Sequence, residues 1–309
     1  MRNAFADEML ALARQDSRVT LLSGDIGNRM FDTFKANFPD RFYNCGIAEA
    51  NMTGVAAGMA LCGLRPVTYT IAAFNTARCL EQIRVDICYQ HLPVVIVGTG
   101  GGLSYANLGP THHALEDVAW MRSLPGMTVV CAGDPVETRL ALRAALAHDG
   151  PVYLRVGKKG EPCVHQTLPD FALGRCLPLR QGDDVYLLAV GSLLPEVLRA
   201  AELLEQKGIH AGVASMPTVK PLDTAFLARL AETVPLVAVV EEHGPFGGAF
   251  EAVAAFFASR GGRMPRLARF GTPDTFLCAA GGQQWYRQRL GLDAAGMATH
   301  LLTIMGEPL

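Results

Sequence analysis

A single carboxylate, Glu49, stands in the first turn of a segment otherwise crowded with small and apolar side chains, GIAEANMTGVAAGMALCG at residues 46–63. Met52, Val55, Met59 and Cys62 recur at helical spacing, which predicts a helix with one apolar stripe, and Glu49 lies one turn before Met52 on it. An acid on a buried face needs a reason. The helix dipole and unpaired N–H groups favour a carboxylate at that end with its oxygens turned to water, and a functional acid would take the same position. Ala50, Gly54 and Gly58, at four-residue steps, offer a flat face that a neighbouring helix or subunit can approach.

The other residues with chemistry follow apolar, strand-like runs. Asp25 and Ile26 lie in SGDIGNRM, Phe74 and Arg78 in IAAFNTAR, His112 and His113 in TGGGLSYANLGPTHH, and Arg155 follows PVYL. In open parallel sheets ligands collect beyond the carboxyl ends of strands, so these segments are expected to share one edge. The glycine-rich stretch lacks the Lys-Ser/Thr end of a P-loop and the spacing of a dinucleotide fingerprint. It is long for a strand-to-helix connection, which points to a functional loop. The paired histidines have no acid or cysteine at ligand spacing. Acid–base use of one of them and a histidine bonded to backbone at a helix start are the two readings. Tyr69 and Phe74 are by default core or rim aromatics, Arg155 pairs with an acid or holds an anion, and Glu242 and His243 read as caps of the next helix.

Strand and helix patterns alternate strictly from VTLLSG to PVYLRV and again from VYLLAVGS to HLLTIM. This predicts an α/β fold of two doubly wound domains, each a mainly parallel sheet with helices on both faces. Residues 1–165 form the first domain, the turn-rich and charged 166–183 a linker, and 184–309 a smaller second domain. With 309 residues, half of them hydrophobic and a net charge of −2, the chain has a large core and is expected to self-associate. No basic run marks a nucleic-acid partner, and no apolar run reaches a membrane span. Eight cysteines without C-x-x-C spacing read as reduced thiols, and a cytoplasmic location is expected.

In order and spacing, FYNCGIAEANMTGVAAGMAL, FNTARCLEQIR, GPTHHALEDVAWMRSLPGMTVV and GPVYLRVGK resemble the pyrimidine-binding domain of transketolases and deoxyxylulose-phosphate synthases. VVEEHGPFGGAFEAV and GTPDTF resemble the transketolase C-terminal domain. The G-D-G motif and later asparagine pair that hold the diphosphate and magnesium in that family are absent. The resemblance therefore implies the second half of a split transketolase. It would share thiamine diphosphate with an N-terminal-type subunit that carries the diphosphate-binding domain and Mg2+, in a dimer of heterodimers acting on sugar phosphates.

The same resemblance assigns roles. Glu49 would hydrogen-bond N1′ of the aminopyrimidine, a use that suits a desolvated acid. Phe74 would stack on that ring, with Tyr69 or Ile71 nearby and Asp25 and Ile26 close to the cofactor. His112 would contact substrate and assist proton transfer, and Arg155 would bind a distal phosphate. Arg78 and Arg29 are further substrate-binding candidates; Arg29 stands near where transketolases carry Ser or Thr. His113 stands where many relatives have Gln. The alternatives are a pyruvate-using carboligase subunit like deoxyxylulose-phosphate synthase, an oxoacid dehydrogenase beta subunit, and a non-catalytic regulatory subunit. The GPTHHALED segment argues against the dehydrogenase.

Overall fold

The computed structural model describes residues 1–27, 29–158 and 160–307. The first half supplies β1 (Val19–Ser23), β2 (Phe42–Asn44), β3 (Arg65–Ile71), β4 (Val95–Thr99), β5 (Thr128–Cys131) and β6 (Val152–Val156). The second supplies β7 (Leu177–Arg180), β8 (Val185–Ala189), β9 (Ala211–Ser215), β10 (Thr218–Lys220), β11 (Leu236–Val240) and β12 (Arg266–Phe270). Two sheets result, ordered β10-β5-β6-β4-β3-β1-β2 and β12-β11-β8-β9-β7. All pairs are parallel except the edge pairs of β10 with β5 and β7 with β9. Every residue of β1, β4, β5, β6, β8, β9 and β11 is buried, as expected where helices cover both faces.

Both edge strands revise the domain limits read from the sequence. Strand β7 lies inside 166–183, so the connecting segment is shorter than that stretch. Strand β10 belongs by sequence to the second domain but extends the first sheet. Tertiary pairing of a three-residue strand leaves no periodicity to read. One apolar cluster unites Phe5 and Met9 of the helix Arg2–Gln15 with Ala141 and Leu142 of the helix Pro135–Ala147. Another runs from Met52, Ile83 and Met121 on the opposite face through to Val237 and Val253, so the two sheets share a core. A third covers the outer face of the second sheet with Leu187, Val197 and Leu301.

The helix around Glu49 spans Glu49–Leu61. Its buried residues are Glu49, Met52, Thr53, Ala56, Ala57 and Ala60, whereas Val55 and Cys62 are exposed. The seam is thus rotated from the expected stripe toward the alanines. Small side chains let this helix lie close to β3, and the larger Val55 stays outside. A Cβ at Gly54 or Gly58 would meet nothing within 4 Å, so the flat face is open in the isolated chain.

Candidate functional site

Three chain segments meet at the carboxyl edge of the first sheet. After β2, Gly46 at φ +67° turns the chain into the helix whose first residue is Glu49. After β3, the short helix Ala72–Ala77 presents Phe74 and is followed by Arg78. After β4, a long loop returns through a bridge between Gly102 and Ala114, with His112 just inside the bridge. Glu49 is 3% exposed, and its Oε2 accepts from Nη1 of Arg78 at 3.1 Å. The Arg78 guanidinium lies over the Phe74 ring, 4.4 Å from its centroid. The other ring contact of Phe74 is His112, edge-on at 5.1 Å. Glu49, Arg78, Phe74 and His112 therefore form one continuous cluster.

The His112 imidazole is held below the usual histidine range, by burial first and then by the neighbouring charge of His113. It is consequently neutral near pH 7 and able to take a proton. Nδ1 shares a hydrogen bond with the Thr111 hydroxyl at 3.0 Å. His113 is the structural member of the pair: it is buried, and its Nε2 bonds the Ala106 carbonyl at 3.2 Å. The two histidines thus part: His113 is the one bonded to backbone, and His112 is left free for proton exchange. Tyr105, which the sequence did not single out, lies 6.3 Å from His112, with Lys158 over its ring and Arg2 3.4 Å from its hydroxyl. The SYANLG context alone carries no signal for it.

On the β1 side, Asp25 is exposed in the left-handed region at φ 57°, a conformation that short polar side chains tolerate when they bond locally. Its Oδ1 accepts from Asn44 Nδ2 at 2.9 Å. The Ile26 carbonyl accepts from Ser23 Oγ at 2.8 Å. Arg29 is exposed, and Asn28 before it lies outside the described residues. Ile71 ends β3 half-buried.

Two assignments are corrected. Tyr69 does not face this cluster: it is fully buried, stacked on Phe5 at 5.0 Å and edge-on to Phe31 at 5.0 Å. In a strand buried on both faces nothing in the local pattern tells the core side from the ligand side. Arg155 is not an open anion clamp either. Its Nε donates to Asp117 Oδ2 at 2.8 Å, and its Nη2 donates to the carbonyls of Ala114 at 2.6 Å and Glu242 at 2.9 Å. Burial alone would lower its pKa, but Asp117 outweighs it and the guanidinium is held above its ordinary value. Arg155 is a strut between the domains. Arg78, expected to bind substrate, is in this state the partner of Glu49.

The glycine run serves close approach rather than a phosphate. Side chains at Gly100, Gly101 and Gly102 would run into Tyr105, Arg155 and Glu242, and Gly100 and Gly102 also have φ of +77° and +64°. The expected capping by Glu242 is done instead by Glu241, whose carboxylate accepts from Ala249 N at 2.7 Å and Phe250 N at 2.9 Å. His243 Nε2 accepts from Ala119 N at 3.3 Å.

Among the described residues, Asp134, Glu137 and His165 bring ligand-type atoms within 4.8 Å of one another. Their oxygens already accept from protein donors. Asp134 takes the amides of Glu137, Val164 and His165, and Glu137 takes the amide of Gly133 and His165 Nε2. The cluster is a clasp on the segment leaving β6. Among the described residues no helix is long and apolar enough to cross a membrane.

The fold and site define a two-domain α/β protein with an acid, an aromatic ring and a neutral histidine at the carboxyl edge of its first parallel sheet. The chain belongs to the transketolase family. The transketolase pyrimidine-binding domain matches residues 1–161, and the transketolase C-terminal domain matches residues 174–297. One of the two subunits of the apulose-4-phosphate transketolase of Phocaeicola vulgatus is 37% identical over 249 residues, 80% of each chain. The 6-deoxy-6-sulfo-D-fructose transketolase subunit SqwH of a Clostridium species is 36% identical over 95% of this chain and 91% of its own. The 1-deoxy-D-xylulose-5-phosphate synthase 1 of Geobacter sulfurreducens is 37% identical over 95% of this chain, which spans only 46% of that enzyme. Among solved structures, a split-gene transketolase described as an inactive beta4 tetramer superposes with a TM-score of 0.86 at 34% identity, covering 96% of this chain and 95% of that one.

Proposed function

We propose that this chain is the pyrimidine-side subunit of a split transketolase, moving a two-carbon ketol unit from a ketose phosphate to an aldose phosphate with thiamine diphosphate. The observation that carries this reading is the place of Arg78. A planar N–H donor lies on the Phe74 ring and bonds the buried Glu49 carboxylate, which are the contacts an aminopyrimidine would need. The guanidinium is thus a stand-in that tests the fit of the cofactor ring, and Arg78 must swing away to admit it.

When bound, the cofactor supplies the nucleophilic carbon that cleaves and forms the bond beside the ketone. Glu49 shares a proton with the ring nitrogen N1′, and burial strengthens that hydrogen bond. Phe74 flanks the ring and fixes its plane. His112, neutral at working pH, takes a proton from a substrate hydroxyl and returns it. Asp25 and Ile26 line the rim near the cofactor, and Arg29 faces the sugar phosphate. The diphosphate and Mg2+ belong to the partner subunit.

Apolar residues around the Glu49 segment are uncovered in the single chain: Ile47 is 77% exposed, Leu61 69% and Tyr89 83%. Such surface supports burial against other subunits, consistent with a dimer of heterodimers. All eight cysteines are free, which supports a reducing, cytoplasmic setting.

The test is reconstitution with a chain carrying the diphosphate motif, followed by an assay of two-carbon transfer from ketose phosphates. The pair is expected to turn over and the isolated chain to be inactive. Glu49→Ala should lower kcat by a factor of about 10²–10⁴, the range for loss of acid–base assistance. A pair that binds thiamine diphosphate yet releases no two-carbon unit from any ketose phosphate would overturn the reading. The synthase relative favours a second reading, pyruvate-using carboligation, for which the deciding result is CO2 release from pyruvate.

A further inference from the structure

The loop that carries His112 is held largely by the other domain. Glu242 follows β11 in the second domain and is 2% exposed. Its Oε2 accepts the amide N–H of Leu103, 139 residues away in sequence, at 2.8 Å. Oε1 accepts from Arg287 Nε at 2.6 Å, and Gln283 Nε2 donates to both oxygens at 3.1 Å. Arg287 is itself anchored by Nη2 to the Ser192 carbonyl and hydroxyl at 3.2 and 3.0 Å. The carboxylate is therefore fixed within its own domain and presents one oxygen to the loop.

The far limb of the loop is gripped as well. Ala114 and Gly102 exchange backbone hydrogen bonds at 3.0 and 3.1 Å, Arg155 ties the Ala114 carbonyl to the Glu242 carbonyl, and Gly244 N donates to Leu115 O at 2.8 Å. Between the limbs, Leu103, Ala106 and Leu115 pack on Leu277 and Tyr286 of the second domain, and His113 meets Tyr286 edge-on at 6.1 Å. Gly102 has no room for a side chain because Glu242 occupies it.

We propose that Glu242 is a positioning residue for His112: by accepting the Leu103 amide it sets the register of the loop over Phe74, and so couples the C-terminal domain to the reaction. This rests on the catalytic reading of His112. Stability alone does not call for such an arrangement, since apolar side chains of similar volume stabilise a buried interface as well as a charge does. A hydrogen bond to one amide adds direction, which packing lacks. A displacement of about 1 Å at a reacting group is enough to slow catalysis about 10²-fold.

The test uses the full-length chain and its reconstituted pair, with hydrogen–deuterium exchange, thiamine diphosphate affinity and steady-state kinetics as separate readouts. In the chain without cofactor, Glu242→Gln should raise exchange in residues 100–113 at least tenfold and leave residues 49–61 unchanged. In the pair it should lower kcat at least tenfold with the Kd for thiamine diphosphate unchanged, because Glu49 and Phe74 are untouched. Arg287→Lys, which removes the Nε–H donor to Glu242 while keeping the charge, should give the same pattern more weakly and decides the matter if Glu242→Gln does not fold. Unchanged exchange in 100–113, a uniform rise over the whole chain, or a loosened loop with full kcat would each overturn the proposal. An inactive wild-type pair whose loop exchange still responds to Glu242→Gln would instead strike the proposed activity and leave the clamp standing.

Discussion

At the scale of single residues, the site depends on which polar side chains are left available. Glu49 and His112 stand in one cluster with Phe74, and each is reached by few protein groups: Glu49 by Arg78, and the His112 ring by Thr111, Phe74 and Tyr105. The lowered His112 value has a sign that can be checked. The imidazole must be neutral to accept a proton, so activity falls as pH drops through its pKa, which lies below the ordinary histidine value of about 6.5. The acid limb of kcat/KM is expected below that value, and His112→Asn should abolish the limb along with most of the rate. A limb unchanged in the variant would assign it to another group. Cys131 illustrates the opposite outcome, since complete burial pushes its thiol up to about 12 and leaves it unreactive at neutral pH.

At the scale of elements, the strand ends do the positioning, and local sequence explains most of them. Asp134 caps the helix Pro135–Ala147, with proline at its first turn, as its residue types predict. Less legible is that the same carboxylate gathers the amides of Val164 and His165. Burial would lower the pKa of His165, but its hydrogen bond to Glu137 and the charges of Glu137 and Asp134 outweigh burial and raise it. Because the folded value exceeds the unfolded one, the charge contributes stability fully below about pH 6.5 and loses it as pH rises through the folded value. His165→Gln should therefore cost about 1.5–3 kcal/mol at pH 5.5, the range for a hydrogen bond between charged groups. The gap between wild type and variant in urea unfolding should narrow by pH 8.5. A pH-independent gap would show that the imidazolium charge contributes nothing.

At the scale of the whole molecule, the two domains are joined by buried charge as well as by a shared apolar core. Arg155 on β6 binds Asp117 of the first domain and the Glu242 carbonyl of the second. Removing it leaves Asp117 buried beside only the Tyr153 hydroxyl, which donates to it at 2.6 Å. Arg155→Met should destabilise the chain by about 3–5 kcal/mol, as expected for breaking a buried pair. It should shift KM for phosphorylated and unphosphorylated acceptors alike, whereas a phosphate-binding role would raise KM selectively for the phosphorylated ones. Urea unfolding and paired KM measurements separate the two outcomes.

The alternation of apolar runs and helical patterns by itself determined two parallel sheets, because only crossover connections join such strands, and it placed Glu49, Phe74 and His112 just beyond strand ends. The tertiary structure alone decided which arginine meets which acid. Asp117 is 38 residues from Arg155, and the Glu242 carbonyl is 87 residues from it, while Arg78 reaches Glu49 across 29. It also decided that Tyr69 faces the core, and that the C-terminal domain grips the His112 loop. Local periodicity reports which face of an element is apolar. It is silent where both faces are buried and where hydrogen-bond partners lie far apart along the chain, since those pairings exist only once the sheets have closed on each other.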